Sequence, residues 1–347
     1  MIADPVTTTT SMLDELERDP LYLPSSFWRQ LNEQNMSMLA ADGFANFKRS
    51  LNQNYYNWLV VRPRDQQFRH ALTDWLEHPS LAPLRTRMER DLRLQAFDAA
   101  KHYRWNWRKR LVYRLFVGFL WERMLRFDRA GIAAQIAEPE IGNPLRIWRE
   151  GKLISQDLAN SIIECNLLVE QLAGVAAPRV AEIGAGYGRV AQVFSATQRG
   201  TYHIFDIPPA LGVAQWYLSR TLPQKKLFAF RPFEKFAEIE AELAEADIAI
   251  FTANQLEKFP AGYFDAIVSI STLPEMRPDQ VKRYIALFQE KSRGLIFLKQ
   301  WKSFTNPQDG TALEIDDYRF DPAWRLAVDR TDPVQPKFFN RVWRRAT

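Results

Sequence analysis

At 347 residues the chain is long enough for two domains, each able to bury its own core. Its 46% hydrophobic and 25% charged residues are those of a globular protein, and the single cysteine, Cys165, excludes an internal disulfide and a multi-thiolate zinc site. No apolar run approaches the ~18 residues of a membrane span, and the polar start Met1-Ile2-Ala3-Asp4-Pro5 lacks the basic region of a secretion signal, so a cytoplasmic protein is expected.

Up to about residue 140 the apolar residues recur at helical spacing: Phe27, Leu31, Met38 and Leu39; then Phe44, Phe47 and Leu51; then Phe68, Leu72 and Trp75. The pattern predicts a helical domain over residues 1–140, which also holds His70, His78 and His102. The run Arg104-Trp105-Asn106-Trp107-Arg108-Lys109-Arg110, continuing through Arg114, Phe116, Trp121, Arg123 and Arg126, is basic and aromatic together. It suits either an anionic partner (a nucleotide-sugar diphosphate, an anionic membrane surface, nucleic acid) or an amphipathic helix with its aromatics in the core. Pro139-Glu140-Ile141-Gly142-Asn143-Pro144 reads as a turn-rich connection. Ser155 then caps a helix running to about Ala173, with Cys165 as a buried thiol within it. Asp157 in its first turn is either a candidate catalytic base or a carboxylate that stabilises the helix start.

From Val180 strands and helices alternate, so residues 141–347 are predicted to form an α/β domain around a doubly wound, mostly parallel sheet. Strands are expected at Val180–Ile183, Tyr202–Phe205, Leu227–Phe230, Ile248–Phe251, Ala266–Ser271 and Leu295–Leu298, with a further pair inside Phe320–Trp343. Between the first two lies Glu182-Ile183-Gly184-Ala185-Gly186-Tyr187-Gly188-Arg189, a glycine turn opening a helix whose first amides face whatever ligand lies there. Asp206 ends the second strand, where such folds place the carboxylate that takes ribose hydroxyls. A dinucleotide fingerprint starting at Gly184 needs a third glycine where this chain has Arg189. The spacing G-x-G-x-G behind Glu182 is instead similar to the first motif of class I S-adenosylmethionine methyltransferases. The expected cofactor contacts are Glu182, Gly184, Ala185, Gly186, Gly188, Asp206 and Ile207.

Asn254-Gln255-Leu256, after the Ile248–Phe251 strand, is expected near the adenine ring, with a plain surface loop as the alternative. Glu275 sits past the next strand tip, facing the crevice where open sheets bind ligands, and is the first candidate for general base. A carboxylate that merely starts the following helix is the other reading. Lys299, Gln300 and Trp301 end the strand after that and are candidates to bind an acceptor, Trp301 offering an aromatic face. His203 alternates into the second strand as a core residue, and Asp316 and Asp317 read as solvated carboxylates, with no metal site predicted.

Taken together, Ile183-Gly184-Ala185-Gly186-Tyr187-Gly188-Arg189, Asp206-Ile207-Pro208-Pro209-Ala210-Leu211, Pro274-Glu275-Met276 and Leu298-Lys299-Gln300-Trp301 resemble a family of sugar O-methyltransferases found among genes for bacterial polysaccharides and glycosylated natural products. Ser25-Ser26-Phe27-Trp28, Phe47-Lys48-Arg49, Asn54-Tyr55-Tyr56-Asn57-Trp58 and Ile154-Ser155-Gln156-Asp157-Leu158-Ala159-Asn160-Ser161 are similar to that family's upstream segments. One departure is Pro274, where the family often carries Gln or His. The resemblance implies a Rossmann-like class I methyltransferase domain behind an all-helical N-terminal domain that selects the acceptor. It also implies S-adenosylmethionine as cofactor and methyl transfer to a hydroxyl of a sugar, nucleotide sugar or lipid-linked glycan, the last with peripheral contact at an anionic membrane. Two other readings stay open: a methyltransferase acting on RNA or a nonsugar small molecule, and a noncatalytic binding protein on the same fold. Thr272-Leu273-Pro274-Glu275 does not supply the Asn-Pro-Pro-Tyr type of tetrad that marks amino-nitrogen methylation.

Overall fold

The computed structural model describes residues 5–50, 107–306 and 310–346. The chain divides into two compact units, one of residues 1–36, 171–332 and 337–347, the other of residues 37–170 and 333–336. The division departs from the boundary expected at residue 140. Residues 1–36 belong with the sheet, because side-chain and backbone hydrogen bonds tie them to its loops, and residues 141–170 belong with the other unit.

The first unit is built on an eight-stranded sheet. Its strands are β3 (Arg179–Ile183), β4 (Thr201–Asp206), β5 (Leu227–Phe228), β6 (Ile248–Thr252), β7 (Phe264–Ile270), β8 (Ser292–Trp301), β11 (Trp324–Thr331) and β12 (Phe338–Arg345), with β9 (Ser303–Thr305) and β10 (Ala312–Glu314) forming a separate antiparallel pair. The spatial order is β11-β12-β8-β7-β3-β4-β6-β5, parallel from β5 to β8, with β12 antiparallel to both β8 and β11. This is the doubly wound, Rossmann-like arrangement that the alternation predicts. Parallel strands covered on both faces must be apolar throughout, and β6 is buried at every position. Phe205, Phe251, Phe259 and Phe264 pack with ring centroids 5.1–5.9 Å apart, each burial stabilising by roughly 1.5–3 kcal/mol. His203 joins them as expected, its Nδ1 3.2 Å from the Val180 carbonyl oxygen and its pKa lowered to about 4 by burial.

Winding reverses between β3 and β7, and ligands of open α/β sheets bind outside the carboxyl ends of strands at such a switch. The helix Arg189–Thr197 follows β3, Ala210–Thr221 follows β4, and Pro278–Lys291 precedes β8 with proline in its first turn, where no amide partner is lost. The helix Pro5–Leu16 lies against Ala210–Thr221 at Gly212, where a Cβ would come within 2.3 Å of the Thr9 hydroxyl.

In the second unit the described residues before position 140 are helices and loops, chiefly Trp107–Leu125. That helix turns Phe116, Val117, Leu120, Trp121 and Met124 inward and buries Arg114 as well, while Arg123 donates to the Pro333 carbonyl. From Tyr113 to Met124 only Leu115 and Arg123 escape full burial, so the described part packs on nearly all sides rather than along one apolar stripe. The motif Asn54 to Trp58, the positions Leu51, Phe68, Leu72 and Trp75, and His70, His78 and His102 lie outside the described residues. A hairpin follows, β1 (Ile147–Arg149) with β2 (Lys152–Ile154). Its tip, Glu150 and Gly151, takes positive φ at both positions, as a two-residue hairpin loop of this twist requires. Ser155 caps the helix Gln156–Gln171 by accepting the Leu158 N–H at 2.9 Å, and donates to Glu138 at 2.7 Å. Glu138 also pairs with buried Lys48, while Arg49 donates to the Asn143 and Pro144 carbonyls. The family-like segments around Phe47 and Ser155 thus meet at the predicted turn. Cys165 is buried with its thiol pKa raised by desolvation, an inert side chain.

Candidate functional site

Backbone comes first at this site. Gly184, Gly186 and Gly188 have φ of +76°, +59° and +80°, values a side chain resists, and Gly184 and Gly186 stay partly exposed while Ala185 and Gly188 are buried. A Cβ at Gly184 would come within 2.1–2.6 Å of Thr272 side-chain atoms, so the strand ends of β3 and β7 can approach only through glycine. At Gly188 a Cβ would meet Leu218 at 2.8 Å and Ile204 at 3.1 Å, so this glycine serves packing.

Asp206 closes the turn from the tip of β4. Its Oδ2 accepts the Gly186 N–H and its Oδ1 the Ile207 N–H, both at 2.6 Å. Half-buried at the tip of β4, it is pushed up to about 7 by desolvation, which outweighs the two hydrogen bonds that favour the charged form. Glu275 stands past the tip of β7, also half-buried, and rises to about 8 through burial and the negative charge of Asp206, against an indole hydrogen bond from Trp28 that favours the carboxylate. The tip of β7 is itself strained: Ser271, not a glycine, has φ +55°. Gly184, Gly186, Asp206, Ile207 and Glu275 are thus brought to one end of the sheet.

Several expected residues serve the fold instead. Glu182 is buried and accepts the Tyr202 hydroxyl at 2.9 Å, bracing β3 against β4 behind the turn. Gln255 accepts the Thr252 N–H and donates to the Arg231 carbonyl, and Leu256 is fully buried, so neither side chain reaches out to an adenine. Asn254 donates to the backbone and side chain of Glu15, while its buried Oδ1 accepts no hydrogen bond. Lys299 and Gln300 require correction as acceptor ligands. Lys299 pairs with Asp332 at 3.1 Å and Gln300 bonds Ser269 and the Thr272 N–H, all inside the sheet. A strand covered on both faces buries consecutive residues, so their place at a strand end did not make them accessible. Trp301 is half-buried, its ring 4.5 Å from that of Phe338. Asp157 belongs to the second unit, buried in the first turn of its helix. Asp316 pairs with Arg341, Asp317 caps its own turn at Glu314, and no cluster able to hold a metal occurs among the described residues.

Residues near the start of the chain complete the site without having been assigned to it. Ser25 donates to the Glu275 carbonyl at 2.7 Å and Asn32 to the Pro208 carbonyl at 3.1 Å. Ser25 and Trp28 stand in a family-like segment, but nothing in the sequence pairs them with a residue some 250 positions away.

No family model and no curated protein sequence matches the chain. Among solved structures, it is similar to the magnesium protoporphyrin IX methyltransferase of Synechocystis PCC 6803 with bound S-adenosylmethionine, at 13% identity over 55% of this chain and 85% of that one, with a TM-score of 0.38. It is also similar to the 1,6-didemethyltoxoflavin-N1-methyltransferase of Burkholderia thailandensis, at 13% identity over 55% and 79%, TM-score 0.36. A third is a ribosomal protein L11 methylase from Lactobacillus delbrueckii subsp. bulgaricus, at 16% identity over 55% and 80%, TM-score 0.34. At this level the likeness is one of outline, and the fold rests on the strand order and the glycine turn.

Proposed function

We propose that the chain is an S-adenosylmethionine-dependent methyltransferase that acts on a sugar hydroxyl. The observation that carries the cofactor is Asp206. Each of its oxygens holds one backbone N–H and keeps acceptor capacity spare, which suits two ribose hydroxyls. The partly exposed Gly184 and Gly186 would let the cofactor approach the main chain. When bound, the cofactor would supply an electrophilic methyl on a sulfonium, with a neutral thioether as its leaving group.

The chain's own part is alignment and proton transfer. An alkyl hydroxyl is a poor nucleophile at neutral pH, and a carboxylate that receives its proton as the C–O bond forms contributes roughly 10²–10⁴-fold. Glu275 suits that step, because a carboxyl raised to about 8 is a stronger base, once ionised, than an ordinary glutamate. Turnover should therefore rise with pH through about 8. The sugar acceptor follows from the resemblance carried by Asp206 to Leu211 and Pro274 to Met276. A screen of free sugars, nucleotide sugars and lipid-linked glycans for a mass gain of about 14 Da, one CH₂, tests it. Labelling of RNA or of nonsugar metabolites alone would replace the sugar reading. Near pH 7, where the carboxyl is still largely protonated, Glu275→Ala should abolish turnover with cofactor affinity nearly intact, and wild-type rates in that variant would remove Glu275 as the base.

A further inference from the structure

Glu275 is gripped at two points by one short stretch of chain. Ser25, buried, donates to its carbonyl at 2.7 Å, and Trp28, one helical turn on, donates its indole N–H to the carboxylate. The stretch is fastened on both sides. Upstream, Arg277 donates to the Leu21 and Leu23 carbonyls at 3.1 Å each, and Gln280 to the same two at 2.7 and 2.9 Å. Downstream, Asn32 holds the Pro208 carbonyl, two residues past Asp206. An indole N–H donates and never accepts, and it bonds a charged oxygen more strongly than a neutral one.

We propose that Trp28 is the positioning residue of this site: its indole, on a segment pinned by Ser25 and Asn32, fixes the Glu275 carboxyl and holds it most firmly when the proton has left. The inference rests on Glu275 being the proton acceptor of the proposed methyl transfer. The charged and titratable groups around Glu275 agree with it. Asp206 opposes ionisation, and Arg277 turns its guanidinium to Leu21, Leu23 and Asp279. Tyr284 stays a neutral phenol, raised by burial and by the negative charge of Asp206. Among the described residues Trp28 is thus the group that favours the carboxylate.

The indole N–H resonances of the full chain read this directly without an acceptor. Of the 11 tryptophans, Trp28 is identified by the resonance lost in Trp28→Phe and, independently, by the one that changes in Glu275→Gln. Between about pH 6 and 10 this resonance should titrate with a midpoint near the Glu275 value of about 8, and the titration should vanish in Glu275→Gln. S-adenosylmethionine should lower the midpoint by about one unit or more, since a nearby positive charge favours the carboxylate. A resonance that stays flat across this range, or a titration that survives Glu275→Gln, overturns the proposal. Calorimetric binding of S-adenosylmethionine is measured alongside. Binding with a flat indole removes the role of Trp28 and leaves the function, whereas titration without binding removes the function and leaves the contact.

Discussion

A carboxyl group makes a strong base only where its surroundings make losing the proton hard, and that strain is stored in the fold. Glu275 rises from 4.5 to about 8, so between those values the folded chain holds a proton that the unfolded chain has released. Its stabilising contribution is complete below about pH 4.5 and is lost as the pH climbs through about 8. Glu275→Gln cannot ionise, so thermal melts should show it gaining on the wild type from pH 5 to pH 9, by on the order of 1–3 kcal/mol. A constant difference would show that the carboxyl is not strained. Lys299 makes the opposite case. Removing one member of a buried pair strands the other, so Lys299→Met should cost about 3–5 kcal/mol in denaturant unfolding. Its effect on S-adenosylmethionine affinity should stay within about twofold, because the side chain is fully buried against Asp332. Sequence position placed Asp206 at the end of β4 and Glu275 in the turn just past β7, because each follows an apolar strand. It misled at Lys299 and Gln300 because a polar residue at a strand end looks the same whether its strand is central or exposed.

At the scale of elements, the glycine turn decides whether strands β3 and β7 can close on each other. Gly184→Ala combines a backbone angle of +76° with a Cβ less than 3 Å from Thr272. It should destabilise the protein by about 2–4 kcal/mol and lower cofactor affinity at least about tenfold. Calorimetry on the folded fraction separates the two losses, and unchanged affinity would mean that the turn does not carry the ligand. Every core strand from β3 to β8 was legible, since long apolar runs bounded by turns have one reading in an α/β chain. The hairpin Ile147–Arg149 with Lys152–Ile154 was missed, because Glu150-Gly151 is not an Asn-Gly or Asp-Gly turn pair and its flanks, Arg149 and Lys152, are charged. The 3-residue strands were too short to show a period.

For the whole molecule, chain order and spatial grouping differ. A helical pattern that runs on from residue 1 gives no sign that residues 1–36 leave the other helices and join the sheet, because the hydrogen bonds responsible span some 180–260 positions. What the sequence did carry was the sheet, its glycine turn and the acid at the tip of β4. The most direct test is calorimetric titration of the full chain with S-adenosylmethionine and, separately, NAD. The wild type should bind S-adenosylmethionine and not NAD, and Asp206→Ala should weaken that binding at least about tenfold, the loss expected when a buried acceptor of ligand hydroxyls is removed. Binding of NAD alone, of neither, or of S-adenosylmethionine equally by wild type and Asp206→Ala would contradict the account.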